Sequence, residues 1–304
     1  MELRDADLAV RTRGLTKSFG KRTVVDGLDL AIPRGGVYGF LGPNGSGKST
    51  TMKMLLGLLH PSAGQVFLLG EDPWGEARAR LMPRIGSMIE HPPGYGHLTG
   101  AENMRLLARL LNLETTRIDR ALELVRLTDH RDRLQRTYSL GMKQRLGIAM
   151  ALAREPELLI LDEPTNGLDP AGIEEIRELM IHLASGGVTV MISSHLLAEI
   201  DRMADVLGVL SQGRLVFQGS REELFERSIP DLLVVTPQAD AAANLVRGCR
   251  RERNGIRVQG CGQEDAARLI VRLVQAGIPI HEVRRIQQSL EEVFMDLTGG
   301  AEAL

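Results

Sequence analysis

Gly42-Pro43-Asn44-Gly45-Ser46-Gly47-Lys48-Ser49 matches G-x-x-x-x-G-K-[ST], the pattern of a phosphate-binding loop. Its flanks decide the fold. Val37-Tyr38-Gly39-Phe40-Leu41 is a short apolar run that reads as a buried strand, and Thr50-Thr51-Met52-Lys53-Met54-Leu55-Leu56 reads as a helix. Strand, glycine-rich turn and helix are the setting this motif requires, beyond what a chance glycine-rich turn would offer. The glycines let the backbone curl until successive N–H groups point inward. With the helix N-terminus these form a nest for phosphate oxygens. In that nest Lys48 is expected to reach the β- and γ-phosphates, and the Ser49 hydroxyl to bind Mg²⁺.

Downstream, Leu158-Leu159-Ile160-Leu161 is wholly apolar and ends in two carboxylates, Asp162 and Glu163. Such a run suits a parallel strand buried on both faces, and ligands of doubly wound sheets sit at the carboxyl ends of strands. Asp162 is therefore expected to hold Mg²⁺, through water. Glu163, off the metal, is expected to accept a proton from the attacking water. The turn that follows ends at a helix start, with Asp169 as N-cap and Pro170 in the first position. His195 follows an apolar run at 188–192, again at a carboxyl end. A lone histidine is more often structural than catalytic. The strand-end position favours a hydrogen bond from His195 to charge developing on the γ-phosphate.

Upstream, residues 8–12 and 24–30 alternate as strands do and flank a turn at 19–22, so an antiparallel sheet leads into the loop. Phe19 sits there among polar neighbours, where its ring could stack on an adenine face or merely plug the turn. Residues 64–70 and 85–89 read as further strands, the latter ending at Glu90. His91-Pro92-Pro93-Gly94-Tyr95-Gly96 must be a loop. Thr99-Gly100-Ala101-Glu102 is a capping box that opens a helix, and leucines continue at helical spacing through 127. Eight arginines between 105 and 136 form either a solvated face or a surface for a partner.

The composition sets limits. The 304 residues suffice for one large domain and a small one, and 43% apolar with 3% aromatic residues means an aliphatic core. The net charge of −2 argues against a broad basic face for nucleic acid. Cys249 and Cys261 match no metal or disulfide pattern, which points to a reducing compartment. No signal peptide is expected at the N-terminus. Residues 179–198 lack Asp, Glu, Lys and Arg over about the length of a membrane span. Gly186-Gly187 and Ser193-Ser194-His195 divide that stretch, and a buried strand at 188–192 fits it better.

Taken in order, the phosphate loop, Tyr138-Ser139-Leu140-Gly141-Met142-Lys143-Gln144-Arg145, Asp162-Glu163, Asn166-Gly167-Leu168-Asp169 and His195 resemble the ATP-binding subunit of an ABC transporter over roughly residues 8–225. The resemblance implies an α/β P-loop NTPase core, mostly parallel sheet flanked by helices, with an antiparallel β subdomain and a helical insert at about 97–150. It implies two copies pairing head to tail, each ATP held between the loop of one and the signature segment of the other. Phe19 would then stack on adenine, residues 42–50 (Thr50 included) would hold the nucleotide, and Ser139 and Gly141 would clamp the γ-phosphate from the second copy. Asp169 would contact that copy, and His195 would be the switch histidine. The family's usual Leu-Ser-Gly-Gly-Gln is altered here, with Leu140 in place of the first Gly and Met142 in place of Gln. Glu90 stands where most members carry a Gln that meets Mg²⁺ and links to the membrane subunit. A carboxylate still binds the metal. Ile89-Glu90-His91-Pro92 with the altered signature resembles the bacitracin, lantibiotic and drug-resistance exporters. That implies export of a small molecule or peptide through a separate membrane permease, with the chain at the cytoplasmic membrane face and no nucleic-acid partner. The alternative is a soluble ABC ATPase acting on nucleic acid or ribosomes.

From about 226 the composition changes. Strands at 232–236, 256–258 and 278–283, with helices at 239–247 and 264–276, make a small α+β domain through 304. Ser289 to Glu292 is a capping box for a last helix, expected to end at Gly299-Gly300. This domain carries no catalytic constellation. A packing or dimer-stabilising module is the plain reading and a ligand sensor the other.

Overall fold

A computed structural model describes residues 4–226 and 228–298. Two units pack separately: one reaches residue 220 and takes in 297 and 298, and the other comprises 221–296.

In the first unit, β1 (Leu8–Phe19) turns back into β2 (Arg22–Leu28), with Phe19 opposite Arg22. β3 (Ala31–Pro33) pairs with the start of β1. β4 (Val37–Leu41), buried at every residue, leads through the glycine-rich turn into α1 (Lys48–Leu55). β5 (Ala63–Leu68) returns antiparallel to β1 and completes the expected antiparallel sheet. After α2 (Arg78–Leu81) and β6 (Ile85–Met88) come α3 (Gly100–Leu111), α4 (Thr115–Leu124) and α5 (Leu140–Leu152). The leucine run from 101 to 127 is thus two helices. Asn112 takes the left-handed conformation at φ 52° and stops α3, a position that asparagine tolerates better than most residues. At the start of α3 the capping box forms with both reciprocal hydrogen bonds.

Then follow β7 (Leu158–Asp162), α6 (Pro170–Ser185), β8 (Thr189–Ser194), α7 (Leu197–Ile200), β9 (Val206–Ser211) and β10 (Arg214–Gly219). The second sheet runs β10-β9-β4-β8-β7-β6. All of it is parallel except the β9–β10 pair. Every residue of β4, β7 and β8 is buried, as strands covered on both faces require. Parallel pairing brings the carboxyl ends of these strands to one edge: Leu41 lies opposite Ser194, and Asp162 opposite Ser193. The phosphate loop, Glu163, His195 and Glu90 therefore all leave the sheet on one side.

The second unit begins with α8 (Arg221–Glu226) and continues through β11 (Asp231–Val235), α9 (Ala239–Leu245), β12 (Arg250–Glu252), β13 (Gly255–Val258), α10 (Gln263–Gln275), β14 (Glu282–Ile286) and, as far as residue 296, α11 (Leu290–Thr298). Its antiparallel sheet runs β12-β13-β11-β14 over a core that includes Leu232, Val234, Ile256 and Leu273. The last strand starts at Glu282 rather than at 278. Ile278 is drawn into the core behind α10, its N–H donating to Leu273 O at 3.1 Å, and Pro279 has no N–H for a ladder. The edge strand β12, all charged residues, shows no alternation from which it could be read. Fully buried Asp231 is matched by Arg257 at 2.6 Å and by the Gly260 N–H at 3.0 Å, and Arg257 also meets Glu292 at 2.8 Å. The Ser289–Glu292 capping box forms. The expected helix end at Gly299-Gly300 lies outside the described residues.

Candidate functional site

The loop between β4 and α1 is shaped by backbone conformations that favour glycine. Gly45 has φ 77° and Gly47 φ 109°. At Gly47 a Cβ would lie 2.9 Å from Val24 O, so a larger residue would be both strained and crowded. Gly47 also caps α1 without a side chain, leaving the first N–H groups of the helix without a side-chain acceptor. Ser46 is buried and its Oγ has no hydrogen-bond partner among the described residues. Lys48 is buried as well. Its Nζ donates to Gly42 O at 2.7 Å and Pro43 O at 3.3 Å, and lies 3.7 Å from Glu163 Oε1. Burial pulls the Lys48 ammonium below its ordinary pKa, while the charges of Glu163 and Asp162 oppose that shift. Ser49 and Thr50 stand half-buried in the first turn of α1, and Asn44 is exposed.

Asp162, only 6% exposed, ends β7. Its Oδ1 accepts from the Ser193 hydroxyl at 2.6 Å, and the same hydroxyl accepts from the Glu163 N–H at 2.9 Å. Glu163 turns into the left-handed region, φ 47°. Its carboxylate faces Lys48 on one oxygen. On the other it meets Asn166 Nδ2 at 3.2 Å and His195 Nδ1 at 3.3 Å, the latter close enough for an ion pair but not aligned as a hydrogen bond. The phosphate loop, the Asp162-Glu163 pair and His195, three separate stretches of sequence, thus meet within a few ångströms.

The signature segment is elsewhere. Ser139 caps α5, its Oγ accepting from Met142 N at 3.2 Å. Ser139, Leu140, Gly141 and Arg145 form one wall of a groove of about 390 Å³, and residues 167–169 with the start of α6 form the other. None of residues 42–50 lines this groove. Leu140, 44% exposed, lies over Gly167, where a Cβ would come within 2.8 Å of Leu140 Cδ2. Asp169 caps α6 by accepting from Gly172 N at 3.1 Å.

This arrangement has relatives. A family model described as ABC transporter matches residues 25–166. The bacitracin transport ATP-binding protein BcrA of Enterococcus faecalis is 39% identical over 302 residues, 97% of either chain. The chain belongs to the ABC transporter family. The lantibiotic transport ATP-binding protein SrtF of Streptococcus pyogenes is 43% identical over 226 residues, 72% of this chain and 97% of the relative. Among solved structures, cbiO1 from Clostridium perfringens, described as part of the ABC transporter complex cbiONQ, matches with a TM-score of 0.67 at 29% identity. That match covers 73% of this chain and 92% of the other. The expected P-loop NTPase architecture is therefore present, and the chain is a nucleotide-binding ATPase subunit of an ABC transporter. Such subunits work with membrane components. Among the described residues, no helix is long and apolar enough to cross a membrane.

Against this ABC framework, two expected site residues have notable neighbours. Glu90, at φ 67° after β6, is ion-paired to Lys53 of α1, which holds its carboxyl below the usual range. Phe19 is half-exposed at the hairpin tip, with Lys17 Nζ 5.1 Å from its ring centroid. Other contacts at the site were not anticipated from the sequence: Ser193 bridging Asp162 and Glu163, Asn166 on the Glu163 carboxylate, and Thr165 Oγ1 donating to Glu199 at 2.5 Å, where Ser194 also donates at 3.2 Å. The signal for the last set lay in two hydroxyls closing an otherwise apolar strand. Buried polar groups of that kind need partners.

Proposed function

We propose that this chain is the ATP-hydrolysing subunit of an exporter whose cargo is an antibiotic or a lantibiotic-like peptide, working with a separate membrane permease at the cytoplasmic membrane face. The transport names of its relatives support export over action on nucleic acid or ribosomes. The observation that carries the mechanism is the placement of Lys48 Nζ and Glu163 Oε1 3.7 Å apart at the sheet edge, while the signature groove opens without any phosphate-loop residue. One chain thus presents two halves of a site, and two copies paired head to tail complete two.

In this reading the N–H groups of residues 42–50 and the Lys48 ammonium take the phosphates. The orphaned Ser46 hydroxyl in the loop is a polar group awaiting a partner. Ser49 and Asp162 are the hard oxygen donors that suit Mg²⁺, with Glu90 a further carboxylate that must leave Lys53 to join them. Bound Mg²⁺ supplies charge neutralisation on the phosphates. Glu163 takes the proton of the attacking water, and His195 donates to charge developing on the γ-phosphate. From the second copy, Ser139 and Gly141 close on that phosphate. Ser139 Oγ accepts from Met142 N and so keeps its own proton to donate. Phe19 stacks on the adenine, and Asp169 meets the partner copy. The small domain after about 225 is a packing or dimer-stabilising module. The test is Glu163→Gln with ATP and Mg²⁺, followed by light scattering on a sizing column. A stable dimer is expected because binding survives while turnover stops, and a monomer overturns the paired arrangement. Mild-salt purification from membranes, with mass spectrometry for a multi-span protein, tests the permease.

A further inference from the structure

We propose that Ser193 is a positioning residue for ATP hydrolysis, setting through one hydroxyl both the carboxylate that faces the metal and the backbone turn that presents the general base. The inference rests on Asp162 as the metal-facing carboxylate and Glu163 as the base. β8 and β7 are parallel neighbours with Ser193 directly opposite Asp162, and Ser193 is fully buried. Its hydroxyl lies 2.9 Å from the Glu163 N–H and 2.6 Å from Asp162 Oδ1. A backbone N–H can only donate, so the hydroxyl must accept from Glu163 and direct its single proton to Asp162. The chain of bonds therefore has one direction. It commits Oδ1 of Asp162 to Ser193 and leaves Oδ2 to face the metal or its water.

The same bond acts on Glu163. That residue is in the left-handed region at φ 47°, a conformation that costs a non-glycine residue free energy and persists only where its surroundings hold it. The Ser193 Oγ is the acceptor that its N–H finds in that conformation. From there the Glu163 carboxylate reaches Lys48, Asn166 and His195. An alanine at 193 would leave a part-buried N–H and a buried carboxylate oxygen without this partner, with no change to the phosphate-loop sequence. Groups that orient a metal-facing carboxylate are typically worth about 10- to 100-fold in metal affinity or activity.

The test compares Ser193→Ala and Ser193→Thr in the full chain, with Glu163→Gln as reference. Three quantities are read: affinity for a fluorescent ATP analogue without metal, affinity of the ATP-bound chain for Mn²⁺ by electron paramagnetic resonance, and kcat with its Mg²⁺ dependence. Thermal unfolding is followed alongside. For Ser193→Ala the expected result is unchanged metal-free nucleotide affinity, Mn²⁺ affinity weakened about tenfold or more, and kcat reduced by a similar factor. Ser193→Thr keeps the hydroxyl on a β-branched side chain suited to a strand, and is expected to restore both. Wild-type Mn²⁺ affinity and kcat in Ser193→Ala, with Glu163→Gln inactive, overturn the role of Ser193 and leave the site standing. If Glu163→Gln also hydrolyses normally, the reading of the site itself fails. Equal loss of metal-free nucleotide affinity and thermal stability in Ser193→Ala, not rescued by threonine, marks a merely structural serine and overturns the proposal.

Discussion

Two helices of this protein start in opposite ways. α1 follows a glycine with no side-chain cap, in a loop whose Ser46 and Lys48 are buried, and strands β4, β7 and β8 surround its first turn with Asp162, Glu163 and His195. α5 starts at an exposed serine that caps its own backbone and opens on a groove whose other wall is residues 167–169 and the start of α6. Both offer the unpaired N–H groups and positive end of a helix to an anion. What differs is completeness. The first has a buried lysine, a buried carboxylate and the Glu163 carboxylate facing that lysine, whereas the second is a groove wall that no phosphate-loop residue lines. A helix N-terminus is thus a generic anion site, and the elements around it decide whether it can do chemistry.

That contrast can be broken experimentally. The largest effect is expected at the completed site: Glu163→Gln lowers steady-state phosphate release by about 10²–10⁴-fold, the usual contribution of a general base, with nucleotide affinity kept. Turnover close to that of the unaltered protein would remove Glu163 from the role of general base. Next comes Lys48→Ala, for which nucleotide Kd in equilibrium binding rises roughly 10- to 100-fold, as loss of a charge-assisted bond of about 1.5–3 kcal/mol implies. An unchanged Kd would sink the assignment of the loop. Ser139→Ala sharpens the comparison from the other side. It removes a helix cap worth ~1 kcal/mol, lowering the unfolding midpoint by a few degrees, while the isolated chain binds nucleotide as before. A matching loss of affinity would mean that the signature segment serves the nucleotide of its own chain. The smallest effect belongs to Leu140→Ala. Because that side chain is half-exposed over Gly167, urea unfolding is expected to show a cost of about 0.5 kcal/mol, and a cost of several kcal/mol would mean that the groove wall is packed like core.

The legible parts of this chain were those whose physics is local. The glycine spacing before Lys48, the Thr99–Glu102 capping box, Asp169 ahead of Pro170 and the unbroken apolar run into Asp162 each describe a backbone conformation set within a few residues, and each appears in the structure. The C-terminal unit was less legible. Charged β12 has no alternation, and β14 began four residues after the start of the apolar run at 278 because Ile278 belongs to the helix–sheet core. The helical insert split where a single asparagine could turn left-handed, a choice that leucine periodicity does not record.

Local sequence, then, sufficed for the phosphate loop with its flanking strand and helix, for the strand that ends at Asp162, and for the types of group that could handle a nucleoside triphosphate. It could not say that Glu90 pairs with Lys53, 37 residues away, or that the Ser193 hydroxyl lies between Asp162 and Glu163. Those relations depend on strand order and register: a shift of one residue in β8 would turn Ser193 to the opposite face of the sheet. Periodicity reports which face of an element is apolar. Which neighbour that face meets, and at which residue, is settled only when the elements pack.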